Sequence, residues 1–166
     1  DCQVPIENRL GDEGIGFRIA MQGLDGGRLN IGACSLGGAQ FAFDTALEYV
    51  KERKQFGKRI ADFQATRFKL ADMATELEAA RLLLYEAAVK VGEKAHGATM
   101  AAAMAKRFAT DIGFRVTNEA LQLHGGYGYL KDYPIERVLR DLRVHQILEG
   151  TNDIMRVVIS NYLLKD

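Results

Sequence analysis

Residues 62–94, DFQATRFKLADMATELEAARLLLYEAAVKVGEK, place Phe63, Leu70, Met73, Leu77, Leu84 and Val91 at separations of three, four and seven. That is the period of one apolar stripe on an α-helix, and the stretch is too long for a strand. The pattern recurs downstream, where Met100, Met104, Phe108, Ile112 and Val116 predict a helix over about 97–123 and read as core. Upstream, a helix is expected over about 14–53, with glycines at 23, 26, 27, 32, 37 and 38. Each glycine costs a helix about 1 kcal/mol relative to alanine. Either another helix or a ligand approaches closely, or the helix breaks near Asp25-Gly26-Gly27. Gly125, Gly126 and Gly128 end the third helix. Pro134 then opens a shorter one to about 143, and Thr151 caps a last one to about 164. Helices joined by short links predict an all-α antiparallel bundle.

The composition agrees. Of 166 residues, 48% are hydrophobic and only 8% aromatic, and the two prolines, Pro5 and Pro134, leave the long central stretch uninterrupted. Lysine plus arginine and aspartate plus glutamate both total 22, with no basic stripe to suggest a nucleic-acid surface. No apolar run approaches the roughly 20 residues of a membrane span. Cys2 and Cys34 are too few for a disulfide framework or a zinc site. Cys34, beside Ile31, Ala33 and Leu36, reads as a small core residue. Glu93-x-x-His96 has the form of half a di-metal site, but no second copy accompanies it, so it reads as a solvated helix end. Residues 1–11 read as a strand remnant and turn, and the opening on Asp1 suggests a piece of something larger.

Three segments bear on chemistry. The first is Glu149-Gly150-Thr151, a lone carboxylate between the apolar pair Ile147-Leu148 and the run Ile154-Met155, Val157-Val158-Ile159. An exposed turn glutamate is its plain reading. A general base held partly away from water is the other, because desolvation raises a carboxylate's proton affinity. The second is Arg53-Lys54-Gln55-Phe56-Gly57, where a planar guanidinium suits phosphate oxygens but equally suits a solvated helix face. The third, Gln122-Leu123-His124-Gly125-Gly126-Tyr127-Gly128-Tyr129, is not a dinucleotide fingerprint, since no strand precedes it and the Gly-x-Gly-x-x-Gly spacing is missing.

In this order and at these intervals, the three segments make the chain resemble the carboxy-terminal helical domain of the acyl-CoA dehydrogenases. The likeness runs from Val4-Pro5 and Asn8-Arg9-Leu10-Gly11 to the last helix. It implies an antiparallel bundle of four long helices plus shorter C-terminal ones over 12–166, with 1–11 as the tail of a preceding β-domain. It also implies FAD as cofactor, an acyl-CoA substrate, electron-transfer flavoprotein as acceptor, and a homodimer or homotetramer sharing FAD sites. By the same resemblance Glu149 is the base that removes the α-proton. Some relatives carry the base two residues after the position of Asp25, but here that residue is Gly27. FAD contacts map to Arg53, Lys54, Gln55, Phe56, Phe63, Gln64, Gln122, Leu123, His124, Gly125, Gly126, Thr151, Asn152 and Asp153. Substrate contacts map to Asp25, Arg28 and Gly150.

Leu148 before the base, and Gly128 to Tyr133, look closest to the isobutyryl-CoA and short branched-chain group of the family. The resemblance further implies a mitochondrial matrix location in a eukaryote or a cytoplasmic one in a bacterium, and little turnover by this piece alone. Some residues keep a second reading. His124 also reads as a capped helix end, and Asp25 with Arg28 as a local ion pair. The whole piece also reads as a helical oligomerisation module without catalysis, or as part of an oxidase-like relative that reacts with oxygen.

Overall fold

The computed structural model describes residues 1–165 and contains five helices. They are α1 (Gly16–Glu52), α2 (Gln64–Gly92), α3 (Ala98–His124), α4 (Ile135–His145) and α5 (Asn152–Leu163). Between α1 and α2 sits a hairpin of β1 (Lys54–Gln55) and β2 (Lys58–Arg59), paired antiparallel with Lys54 opposite Arg59.

The centre of the bundle is α3, which packs against each of the other four helices and most extensively against α1. Small side chains make this possible. Ala101, Ala102, Ala103, Ala105, Ala109 and Ala120 are all buried, so backbones approach α3 from several sides. The stripe expected on α3 is buried at Ile112 and Val116 and half-buried at Met100, Met104 and Phe108. The buried alanines lie beside these positions, where neighbouring helices come close to α3. On α2 the expected stripe is buried at Met73, Leu77 and Leu84, against α1 and α3, and half-buried at Phe63, Leu70 and Val91.

The glycines of α1 do not break it: one helix of 37 residues runs through Asp25-Gly26-Gly27. A Cβ on Gly32 would stand 2.9 Å from Leu84 Cδ1, and one on Gly38 would stand 2.5 Å from Leu142 Cδ1. Close helix packing is therefore the reason for both. The bundle has three long helices, of 37, 29 and 27 residues, where four were expected.

Two further expectations are corrected. Cys34 is exposed, not core. The buried stripe of α1 is Gly32, Ser35, Leu36 and Ala39, and Cys34 falls on the other side of the 3.6-residue turn. Residues 1–11 form no strand. Ile6–Asn8 make a 3-10 turn, and the whole segment is exposed.

Candidate active site

Glu149 lies in the connection between α4 and α5, with φ of 56°, and Gly150 follows at 88°. Left-handed backbone is easy for glycine and strained for glutamate, so the surroundings must hold it. The turn aims the Glu149 side chain at α1. Its carboxyl carbon lies 2.7 Å from where a Cβ on Gly27 would stand, so the missing side chain is what leaves room for the carboxylate. Behind it, the Thr151 hydroxyl accepts from the Ile154 N–H at 3.3 Å and caps α5 as expected.

Gly27 has Asp25 and Arg28 as near neighbours on α1. Arg28 Nη1 donates to Asp25 Oδ1 at 2.7 Å, and the Thr99 hydroxyl donates to Asp25 Oδ2 at 2.6 Å. The local ion pair is real, and it is buried on the arginine side. Arg28 Nε has no hydrogen-bond partner among the described residues.

A residue that sequence reasoning missed completes this region. Lys106 on α3 is fully buried, and its ammonium donates to the Gly150 carbonyl at 2.9 Å and to Asn152 Oδ1 at 2.8 Å. Asn152 Nδ2 in turn donates to Asp111 Oδ1 at 2.7 Å and Thr110 Oγ1 at 2.9 Å. The Asn152 side chain, expected to face a cofactor, is thus turned inward, while Asp153 stands exposed. Burial pushes the Lys106 pKa down to about 8 from 10.5. Asp111 opposes that shift, Arg28 adds to it, and Glu149 opposes it. The signal was present in the sequence: Lys106 interrupts an alanine run at core spacing, four residues after Ala102 and three before Ala109.

The second cluster is an open cavity of about 640 Å³. Arg53, Gln55, Gln122, Leu123, His124, Gly125 and Gly126 line it, together with Tyr49, Lys69 and Tyr127, which were not foreseen. The Arg53 guanidinium sits 5.2 Å from the centre of the Tyr127 ring. His124 stacks on Tyr49 with centroids 4.3 Å apart, and burial raises the Tyr49 pKa. His124 Nδ1 lies 2.8 Å from the Ala120 carbonyl, which only accepts, so the proton belongs on Nδ1 and buried Nε2 is left a bare acceptor without a partner.

Lys54, Phe56, Phe63 and Gln64 do not line this cavity. Phe56 is 90% exposed at the hairpin tip, where its φ of 54° and that of Gly57, 79°, make a tight two-residue turn. Phe63 meets Phe56 edge to face and lies under the Lys58 ammonium. Along α3, Lys106 and His124 are 18 residues apart, about 27 Å at 1.5 Å per residue, so the two clusters are distinct. Among the described residues, no three His, Cys, Asp or Glu side chains are grouped to hold a metal, and His96 lies against the Tyr162 hydroxyl.

Comparison with known proteins identifies this arrangement. Residues 14–164 match the family described as acyl-CoA dehydrogenase, C-terminal domain. The chain belongs to the acyl-CoA dehydrogenase family. It is 57% identical to a mitochondrial isobutyryl-CoA dehydrogenase of Dictyostelium discoideum over 166 residues, covering all of this chain and 40% of that protein. It is 54% identical to a caffeyl-CoA reductase-Etf complex subunit of Acetobacterium woodii, over 99% of this chain and 43% of that one. The solved butyryl-CoA dehydrogenase of Megasphaera elsdenii superposes with a TM-score of 0.94 at 51% identity, over 98% of this chain and 42% of that one. This acyl-CoA dehydrogenase domain thus spans about two fifths of the length of these relatives. Among the described residues, no helix of the domain is long and apolar enough to cross a membrane.

Proposed function

We propose that the chain is the helical domain of an FAD-dependent acyl-CoA dehydrogenase acting on a short or branched acyl-CoA thioester, with Glu149 as the general base. One observation carries this reading: the Glu149 carboxylate is folded onto the α1 backbone in the space a side chain on Gly27 would fill. Two positions serve for the base in this family. Here one of them is emptied and the other's carboxylate stands where its side chain would be.

FAD, when bound, supplies the acceptor for the hydride that leaves the β-carbon as an α,β double bond forms. The residues present fit such a group. The open cavity offers the Arg53 guanidinium and the glycine backbone of Gly125 and Gly126 to an anionic nucleotide, while the Lys69 ammonium on its wall is paired with Glu119. The bare Nε2 of His124 is a buried acceptor in want of a donor, and adenine or ribose carries such donors. Phe56 and Phe63 present an apolar face beyond the cavity, and the strained, exposed Phe56 is a side chain waiting to be covered.

Glu149 takes the α-proton. Among the described residues its own N–H donates to no chain group, which frees it for the thioester oxygen, where charge develops as the proton leaves. Asp25, Arg28 and Gly150 flank this point and would orient the thioester. The roughly 27 Å between the clusters supports FAD sites shared between two copies, each giving one cluster. Phe68, Leu82, Tyr85 and Val89, exposed on α2, support a homodimer or homotetramer. Residues 1–11 would be the tail of a preceding β-domain. The Etf complex of the Acetobacterium relative supports electron-transfer flavoprotein as acceptor. The mitochondrial Dictyostelium relative supports a mitochondrial location, in the matrix, if the source is a eukaryote, and a bacterial source would make it cytoplasmic.

The test is anaerobic bleaching of the flavin in the full-length protein with isobutyryl-, butyryl- and octanoyl-CoA, for wild type and Glu149→Gln. Rapid bleaching in wild type and a loss of roughly 10²–10⁴-fold in the variant is expected. Isobutyryl-CoA should be fastest, and a preference for octanoyl-CoA would refute the substrate class. Equal bleaching in both proteins would move the base elsewhere.

A further inference from the structure

We infer that Lys106 is a positioning residue for Glu149: by donating to the Gly150 carbonyl and to Asn152, its amine pins the left-handed Glu149-Gly150 turn to α3 and keeps the carboxylate folded against Gly27. The inference rests on the reading of Glu149 as the base.

A lysine with no exposed surface, in a helix whose other core positions are alanine, sets a problem. Burying an ammonium is costly unless its donors are all used well. An apolar side chain would fill the site without that cost, so the lysine must do something an apolar residue cannot. Both acceptors it reaches lie within three residues of Glu149: the Gly150 carbonyl at 2.9 Å and the Asn152 carboxamide at 2.8 Å.

The turn needs such a hold. A glutamate at φ 56° relaxes toward ordinary backbone unless its neighbours prevent it, and the next peptide carbonyl is the nearest handle. The second anchor is itself fixed, because Asp111 and Thr110 of α3 clamp the Asn152 amide. Two anchors on one rigid helix determine where the peptide between Glu149 and Thr151 sits, and so where the carboxylate points.

Charge is secondary to geometry here. Asp111 on α3, Arg28 from α1, Glu149 itself and His145 from α4 act on the Lys106 charge or are acted on by it. Arg107 and Arg156 pair with Asp111. A neutral amine still has two N–H groups, matching the two acceptors, so the hold survives deprotonation near pH 8.

The experiment compares full-length, FAD-loaded wild type, Lys106→Met, Glu149→Gln and the double variant. It reads flavin reduction at saturating isobutyryl-CoA, acyl-CoA binding, and hydrogen exchange of peptides covering 146–152. Lys106→Met should slow reduction ~100-fold, the scale of misplacing a reacting group by about 1 Å. Acyl-CoA affinity should change by less than about threefold, and exchange over 146–152 should accelerate while α1 and α2 stay protected. In the Glu149→Gln background, Lys106→Met should cost nothing more, because it acts through a group already removed. Wild-type reduction and exchange rates in Lys106→Met, or the same loss in both backgrounds, would overturn the inference. Should Lys106→Met not fold, Asn152→Ala removes one anchor and should slow reduction roughly tenfold; an unchanged rate there overturns it equally. Absence of flavin reduction in the wild type would sink the dehydrogenase reading instead, and the exchange arm would still decide whether Lys106 holds the turn.

Discussion

The two clusters differ in how finished they are. Around Glu149 the chain supplies its own bonds: Lys106, Asn152, Thr110 and Asp111 form one network, and Thr99 and Arg28 bond Asp25, with Arg28 Nε left without a partner among the described residues. Around His124 and Arg53 the chain presents an open cavity, a buried nitrogen with no partner and a strained phenylalanine in full exposure. The first is a site that one chain assembles and aims. On the proposed reading the second is half of a site, completed by another body. A base must be held to within a fraction of an ångström before substrate arrives. A nucleotide cradle tolerates completion on binding.

That contrast can be broken most directly at Gly27. Gly27→Ala sets a methyl group against the Glu149 carboxylate, a flexible end that yields, so the helix should survive while the base is displaced. Flavin reduction should fall by ~100-fold with the melting temperature nearly unchanged. A large loss of stability with normal chemistry would mean that Gly27 serves helix packing alone.

At the unfinished cluster the effect should fall on binding. Arg53→Ala removes a charged donor worth about 1.5–3 kcal/mol, so FAD should dissociate roughly 10- to 100-fold more easily, with flavin reduction at full occupancy barely altered. Equilibrium release of FAD on dilution measures the first and anaerobic bleaching the second. Unchanged FAD retention would remove Arg53 from the cradle.

The smallest effect sharpens the first cluster. Burial lowers the Lys106 pKa from 10.5 to about 8. Between those values the unfolded chain binds a proton that the folded chain has released, so folding stability gains as pH rises through this window. Below about pH 8 the cost of the buried charge is felt in full. Urea unfolding should therefore show wild type gaining on Lys106→Met as pH rises from 8 toward 10.5. A difference that stays flat with pH would mean that Lys106 is not buried with its charge.

Hydrophobic period located α2 and α3 to within a few residues, because burying one stripe every 3.6 residues is a local demand, and Pro134 and Thr151 marked the starts of α4 and α5. Thr151 as a cap and the glycine stop after α3 were legible for the same reason. The motif segments also led to both clusters, since Glu149, Arg53 and the stretch from Gln122 to Gly126 stand where side-chain chemistry sets the choice of residue. Tertiary structure decided the rest. Whether the glycines of α1 marked a break or close contacts depended on Glu149, Leu84 of α2 and Leu142 of α4 lying against Gly27, Gly32 and Gly38. Cys34 faces out because its apolar sequence neighbours lie on another side of the helix. Phe56 adopts a left-handed turn that no preference of phenylalanine announces. Lys106 could be seen as a lysine in an alanine run, but its partners lie 44 and 46 residues away. Only folding brings a distant carbonyl and carboxamide to a buried amine, because satisfying a charge away from water is a demand on the whole bundle and not on any segment of it.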